Sequence, residues 1–167
     1  MIRIISNPSF RAFSILYIVI LGALVPANLS ARQVDSLAYW SESGSYDQLR
    51  LSVEQVLSEL PNDPRGHYYL ALSYGTDSRQ SLAITDSILQ LACMESSSIW
   101  RDKTKALKLS LMRKSGNHVQ VIALGRDVID ELKDSLATFT AVRALSISYR
   151  KLNMYDSAMK SAIELEK

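Results

Sequence analysis

The chain is predicted to be all-α, and three observations carry the prediction. Its four prolines, Pro8, Pro26, Pro61 and Pro64, are all early, so more than a hundred residues follow without a helix breaker. A turn-forming word recurs as Gly44-Ser45-Tyr46-Asp47-Gln48-Leu49, Gly116-Asn117-His118-Val119-Gln120-Val121 and Asn153-Met154-Tyr155-Asp156-Ser157-Ala158. The stretches His67–Tyr74 and Val142–Tyr149 place a large residue, then Leu three on, a small residue and Tyr, all on one helical face. Composition agrees, with 47% apolar and 22% charged residues in 167, an ordinary globular balance.

The first residues read as an address. Arg3 and Arg11 precede an uncharged run from Ala12 to Ala31, within which Phe13–Val25 is continuously and mostly apolar. A basic start, a short apolar stretch and small residues around Val25-Pro26-Ala27 form a secretory signal, residues 1–27, with a second cut site at Leu29-Ser30-Ala31. No cysteine sits near either site, which excludes a lipoprotein. The alternative is an uncleaved N-terminal membrane anchor, for which the 20-residue uncharged run is just long enough. Either way the body, 33–167, is expected outside the cytoplasmic membrane, periplasmic or secreted, and anchored if the segment stays. Removing 1–27 takes two arginines and no acid, so the net charge of +2 falls to zero, 17 basic against 17 acidic residues. That balance gives no field for nucleic acid. The single cysteine, Cys93, permits no intrachain disulfide and no Cys-rich zinc site.

Gly44 to Gly116 is 72 residues and Gly116 to Asn153 is 37, so one unit of about 36 residues accounts for both if a copy lies between the first two. That copy shows its first half in His67–Tyr74, before the turn-like Gly75-Thr76-Asp77-Ser78. These residues resemble the tetratricopeptide repeat family, whose 34-residue pattern is W-x2-L-G-x2-Y, then A-x3-F, then P. Val142, Leu145, Ser146, Tyr149, Ala158 and Ala162 are similar to it at the matching offsets, and Leu49, Val53 and Pro61 to its second half. No copy carries the family's Trp. The resemblance implies a right-handed α-solenoid of about four helix-turn-helix pairs. Their approximate bounds are Gln33–Glu59, Arg65–Leu91, Ser98–Leu132 and Ser135–Lys167. In the third, Trp100, Leu107 and Leu111 form one stripe, and Ser96-Ser97-Ser98 reads as a turn with a serine N-cap.

One helical hairpin cannot bury its apolar stripe alone, so successive pairs must share a core. Tyr46, Leu49, Val53, Val56 and Leu57 are expected against Leu70 and Tyr74, with Leu70 and Leu145 both buried. The last trailing helix has no successor in the sequence. Ser157, Lys160, Ser161, Glu164 and Lys167 can give it the polar outer face of a cap, whereas exposure of Met159, Ile163 or Leu165 would make it a docking surface.

Catalytic patterns are weak. His67 and His118 occupy aromatic positions at no metal-ligand spacing and are expected to pack. Cys93, in Leu91-Ala92-Cys93-Met94, lacks a neighbouring base and reads as structural. Ser157-Ala158-Met159-Lys160 matches S-x-x-K without its companion motifs. Asp127, Asp130, Glu131 and Asp134 lack the alternation and glycine of a calcium loop, and read as a solvated face. Neither a phosphate-cradling glycine loop nor H-E-x-x-H occurs. No catalytic residue, metal or cofactor is therefore expected, and the chain is read as non-enzymatic.

What the resemblance implies is a concave groove lined by the leading helices and taking a peptide or protein segment. Its candidate residues are Tyr68 and Leu72 from the second pair and Arg113 and Lys114 from the third. Arg143, Ile147, Arg150 and Lys151 come from the fourth. An aromatic end passing into a basic one suits an acidic or carboxylate-bearing partner; the plainer alternative is that these cations are solvated helix faces. The expected function is an adaptor of the cell envelope. The alternative is a structural subunit that assembles end-on through its last helix into a homo-oligomer or envelope complex.

Overall fold

A computed structural model describes residues 36–75 and 77–163. The proposed signal, 1–27, and Glu164, Leu165 and Lys167 lie outside them. The described residues are helical, without a strand, and no helix among them is long and apolar enough to cross a membrane. Residues 36–42 form α1, followed by α2 (Tyr46–Glu59), α3 (Pro64–Ser73), α4 (Ser78–Leu89) and a short α5 (Ala92–Ser96). Then come α6 (Ser98–Lys114), α7 (His118–Glu131), α8 (Ser135–Lys151) and α9 (Tyr155–Ile163).

The recurring words are the turns. Among the described residues, Gly44, Gly116 and Asn153 have positive φ, at 72°, 80° and 60°. Each closes a leading helix with the same two hydrogen bonds. The N–H of Ser45 reaches the carbonyl of Trp40 (3.1 Å), that of Asn117 reaches Met112 (2.9 Å), and that of Met154 reaches Tyr149 (2.9 Å). One residue earlier, Gly44, Gly116 and Asn153 bond to Ser41, Arg113 and Arg150. This is the Schellman closure, which needs a left-handed residue. The aromatic of each word, Tyr46, His118 or Tyr155, then opens the trailing helix. A Cβ at Gly116 would meet nothing within 4 Å, so Gly116→Ala isolates the cost of the left-handed backbone, about 1–2 kcal/mol. Asn153→Gly should be neutral or stabilising, and urea denaturation of both variants checks the pair.

Helix starts are fixed by aspartates. Asp63, Asp77 and Asp134 cap α3, α4 and α8, accepting from the N–H of Arg65 (2.9 Å), Arg79 (3.0 Å) and Ala137 (2.8 Å). Burial pushes the Asp63 carboxyl up, but its bonds to the Arg65 guanidinium and N–H outweigh this and hold it below the usual carboxylate range. The serine cap expected ahead of α6 is in place as Ser97, but its hydroxyl makes no capping bond.

Packing is local along the chain. Leu37, Leu49, Val53 and Val56 form a first cluster, with Tyr46, Leu57 and Leu70 against it. Ala71, Ile88, Met94, Leu107 and Leu111 form a second. The third is built around Ala106, Leu109, Met112, Val121 and Ala141, the fourth around Leu145, Tyr149 and Ala158 with Ile122 and Ile129. Accordingly α3 touches α2, α4 and α6, and α8 touches α6, α7 and α9. Two glycines sit at tight helix contacts. A Cβ on Gly66 would lie 2.7 Å from Leu57 Cδ2, and one on Gly125 3.0 Å from Leu145 Cδ1.

Three expectations are corrected. Leu70 is only half-buried, unlike Leu145, because its face lies at the edge of the first cluster. The second trailing helix stops at Leu89, not Leu91, and residues 92–96 form the separate α5 that drives Met94 fully into the core. On α9 the outer face is mixed: Lys160 is exposed as expected, but Ser161 is buried, its hydroxyl donating to the carbonyl of Ser157, and Met159 and Ile163 are exposed.

Candidate functional site

Helices α1, α3, α6 and α8 together wall a groove of about 470 Å³. Every residue lining it comes from these four helices. Its aromatic end is a cluster in which Tyr68 lies 5.5 Å and Tyr69 6.1 Å from Trp100, ring centre to ring centre. The Tyr68 and Tyr69 rings meet edge-on at 5.2 Å. Burial, with the neighbouring Tyr69 and Asp134, pushes the Tyr68 hydroxyl up to about 12, so it stays a neutral hydrogen-bonding group. The Lys103 ammonium stands over Trp100 at 4.5 Å. Leu72 completes the apolar wall.

Ser110, Lys114 and Thr140 continue into a second hollow of about 300 Å³, where Arg113 and Arg143 flank the half-exposed Phe139. The groove therefore passes from rings, with the Glu42 carboxylate beside Tyr69, to cations. Among the described residues, Lys103, Arg113, Lys114 and Arg143 form no ion pair. On the other side of α6 the lysines do: Lys105 pairs with Glu131 on α7, and Lys108 with Asp86 on α4 at 2.6 Å. Lys105 and Lys108 are thus paired with acids of α7 and α4, whereas Arg113, Lys114 and Arg143 of the hollows have no acid partner among the described residues.

The sequence-derived candidates divide accordingly. Tyr68, Leu72, Arg113, Lys114 and Arg143 line the two joined hollows, whereas Ile147, Arg150 and Lys151 sit on the last turns of α8 and line neither. Trp100, Lys103, Tyr69 and Phe139 belong to the groove and were not among the candidates. Trp100 lies on the apolar stripe of α6 and packs against the second cluster, so it serves core and groove together. A clue in the sequence was the spacing of Trp100, Lys103 and Lys114, which returns to one face of α6 after three turns.

The other motif residues have local partners. His67 Nε2 lies 2.8 Å from the Pro61 carbonyl and His118 Nδ1 3.2 Å from Ser148 Oγ. The acidic ladder is dispersed: Glu131 is held below the usual carboxylate range by its bond to Lys105, and Asp134 caps α8. No group of three potential metal ligands occurs among the described residues. No protein-family model, curated protein or solved structure matches the chain.

Proposed function

We propose that the chain is an exported, non-enzymatic adaptor, a right-handed α-solenoid of four tetratricopeptide-like pairs that binds an extended acidic protein segment in its groove. The helix pairs are α1/α2, α3/α4, α6/α7 and α8/α9, with α5 inserted between the second and third. The observation that supports this best is the division of charge on α6, paired lysines outward and unpaired cations in the groove. An occupant with an aromatic or aliphatic residue against Tyr68, Leu72 and Trp100, followed by carboxylates reaching Lys114 and Arg143, would satisfy both halves. The apolar N-terminal run would deliver the domain to the far side of the cytoplasmic membrane, or hold it there.

Random peptides displayed on phage and selected on the immobilised full chain should enrich an apolar residue followed by Asp or Glu. Lys114 and Arg143 are exposed, so reversing both to Glu leaves the fold intact and should weaken the selected peptides by about tenfold or more. Selected peptides indifferent to the reversal would contradict the groove.

A further inference from the structure

One charge in the groove has the opposite sign, and it stands where two other helices carry lysine. Counted back two residues from the left-handed turn residue, the last turns of α1, α6 and α8 hold Glu42, Lys114 and Lys151. One residue earlier stand Ser41, Arg113 and Arg150. Lysine and arginine suit this position, because the last carbonyls of a helix lack N–H partners within it and attract a positive charge. A carboxylate is repelled by the same carbonyls. Local helix chemistry therefore favours the last turns of α6 and α8 and opposes Glu42. A residue set against its own helix answers a demand from outside it.

The surroundings of Glu42 show where that demand lies. Among the described residues lining the hollow between α1, α3, α6 and α8, Glu42 is the one acid, with Lys103 and Lys114 as the cations. Half-buried Tyr69 lines the same hollow. Burial first, and the Glu42 carboxylate after it, push the Tyr69 hydroxyl up, so the acid's charge is felt at that ring. Glu42 is exposed and forms no ion pair among the described residues. Lys103 does not neutralise it: that ammonium stands over the Trp100 ring, 4.5 Å from its centre.

We infer that the aromatic end of the groove receives a cationic side chain, an ammonium or guanidinium group held between the Glu42 carboxylate and the Tyr69 ring. The carboxylate supplies the counter-charge, and the ring offers a face that attracts cations. The inference deepens the reading of the groove as a peptide site and rests on it. It gives the occupant an order of charge: a basic residue at α1, an apolar one against Leu72 and Trp100, and carboxylates at Lys114 and Arg143. A segment acidic along its whole length would bring like charge to Glu42 and be rejected at that end.

The test is selection of random displayed peptides on the full chain and on its Glu42→Lys variant. On the unmodified chain, enriched peptides should carry Lys or Arg on the side of the apolar residue away from the acids. On Glu42→Lys, Asp or Glu should replace that basic residue, while the acids that meet Lys114 and Arg143 remain. A single selected peptide should bind Glu42→Lys about tenfold more weakly, and changing its basic residue to Glu should restore binding to that variant. Glu42 is exposed, and an unchanged circular dichroism spectrum checks that the variant is folded. Peptides enriched in acids but lacking the basic residue would overturn the inference and leave the groove standing. Binding indifferent to Glu42→Lys, or not restored by the changed peptide, would overturn it too. Peptides that also ignore the reversal of Lys114 and Arg143 would contradict the groove as well.

Discussion

Leu145→Ala should lower the unfolding free energy by about 2–5 kcal/mol, a large part of the stability of a domain this size. Leu145 is 2% exposed, lies over Gly125 on α7 and joins Tyr149 and Ala158 in the last cluster. The gap left by its isobutyl group could close only if α8 moved onto α7, and the capped start and Schellman end of α8 oppose that movement. Leu51, 60% exposed on α2, is the control: Leu51→Ala should stay within about 0.5 kcal/mol. Urea denaturation followed by far-ultraviolet circular dichroism measures both. Equal, small losses would mean that α7 and α8 are not packed as described.

Asp102→Ala should cost about 2–4 kcal/mol through polar rather than apolar loss. The Asp102 carboxylate, almost fully buried on α6, accepts from the N–H groups of Lys133 (2.8 Å) and Asp134 (3.1 Å) in the turn between α7 and α8. Asp134 in turn caps α8. Alanine leaves two part-buried donors without their acceptor and loosens the cap, so the loss spreads to the start of α8. Asp102→Asn keeps an acceptor oxygen and loses only the charge, so it should cost about 1 kcal/mol. Amide exchange at Lys133 and Asp134 distinguishes the two. Rapid exchange at both sites is expected in the alanine variant alone.

The parts legible in sequence were those written in backbone chemistry. A left-handed turn favours Gly or Asn, so Gly44, Gly116 and Asn153 marked three helix junctions by residue type. The second junction, around Gly75, uses no positive φ at that glycine, which is why its copy was recognised only from the preceding helix. The apolar stripe of α6 was legible for the same reason, because Leu107 and Leu111 repeat at helical spacing. What could not be read depended on neighbours distant in the chain. Asp102 looks like any surface acid until the turn 31 residues later folds over it. Ser161 and Met159 lie two residues apart on α9, and only the position of α8 decides that the serine is inside.

The candidate site was half legible. Aromatic and basic positions on the leading helices could be named from the repeat register. Their partition between paired and unpaired could not, since Glu131 and Asp86 are brought to Lys105 and Lys108 only by helix packing. Arg150 and Lys151 were carried along by their charge, and they stand beyond the hollows because α8 outruns the wall it shares with α6. The groove's aromatic end depended on Trp100 meeting Tyr68 and Tyr69 from another helix.

The most direct test of groove binding is to follow the amide and indole resonances of the isotope-labelled full chain while a display-selected acidic peptide is added. Shifts should concentrate on the Trp100 indole and on Leu72, Lys114 and Arg143, along α3, α6 and α8. Shifts confined to the trailing helices α2, α4, α7 and α9, or none at saturating peptide, would contradict a groove built from the leading helices.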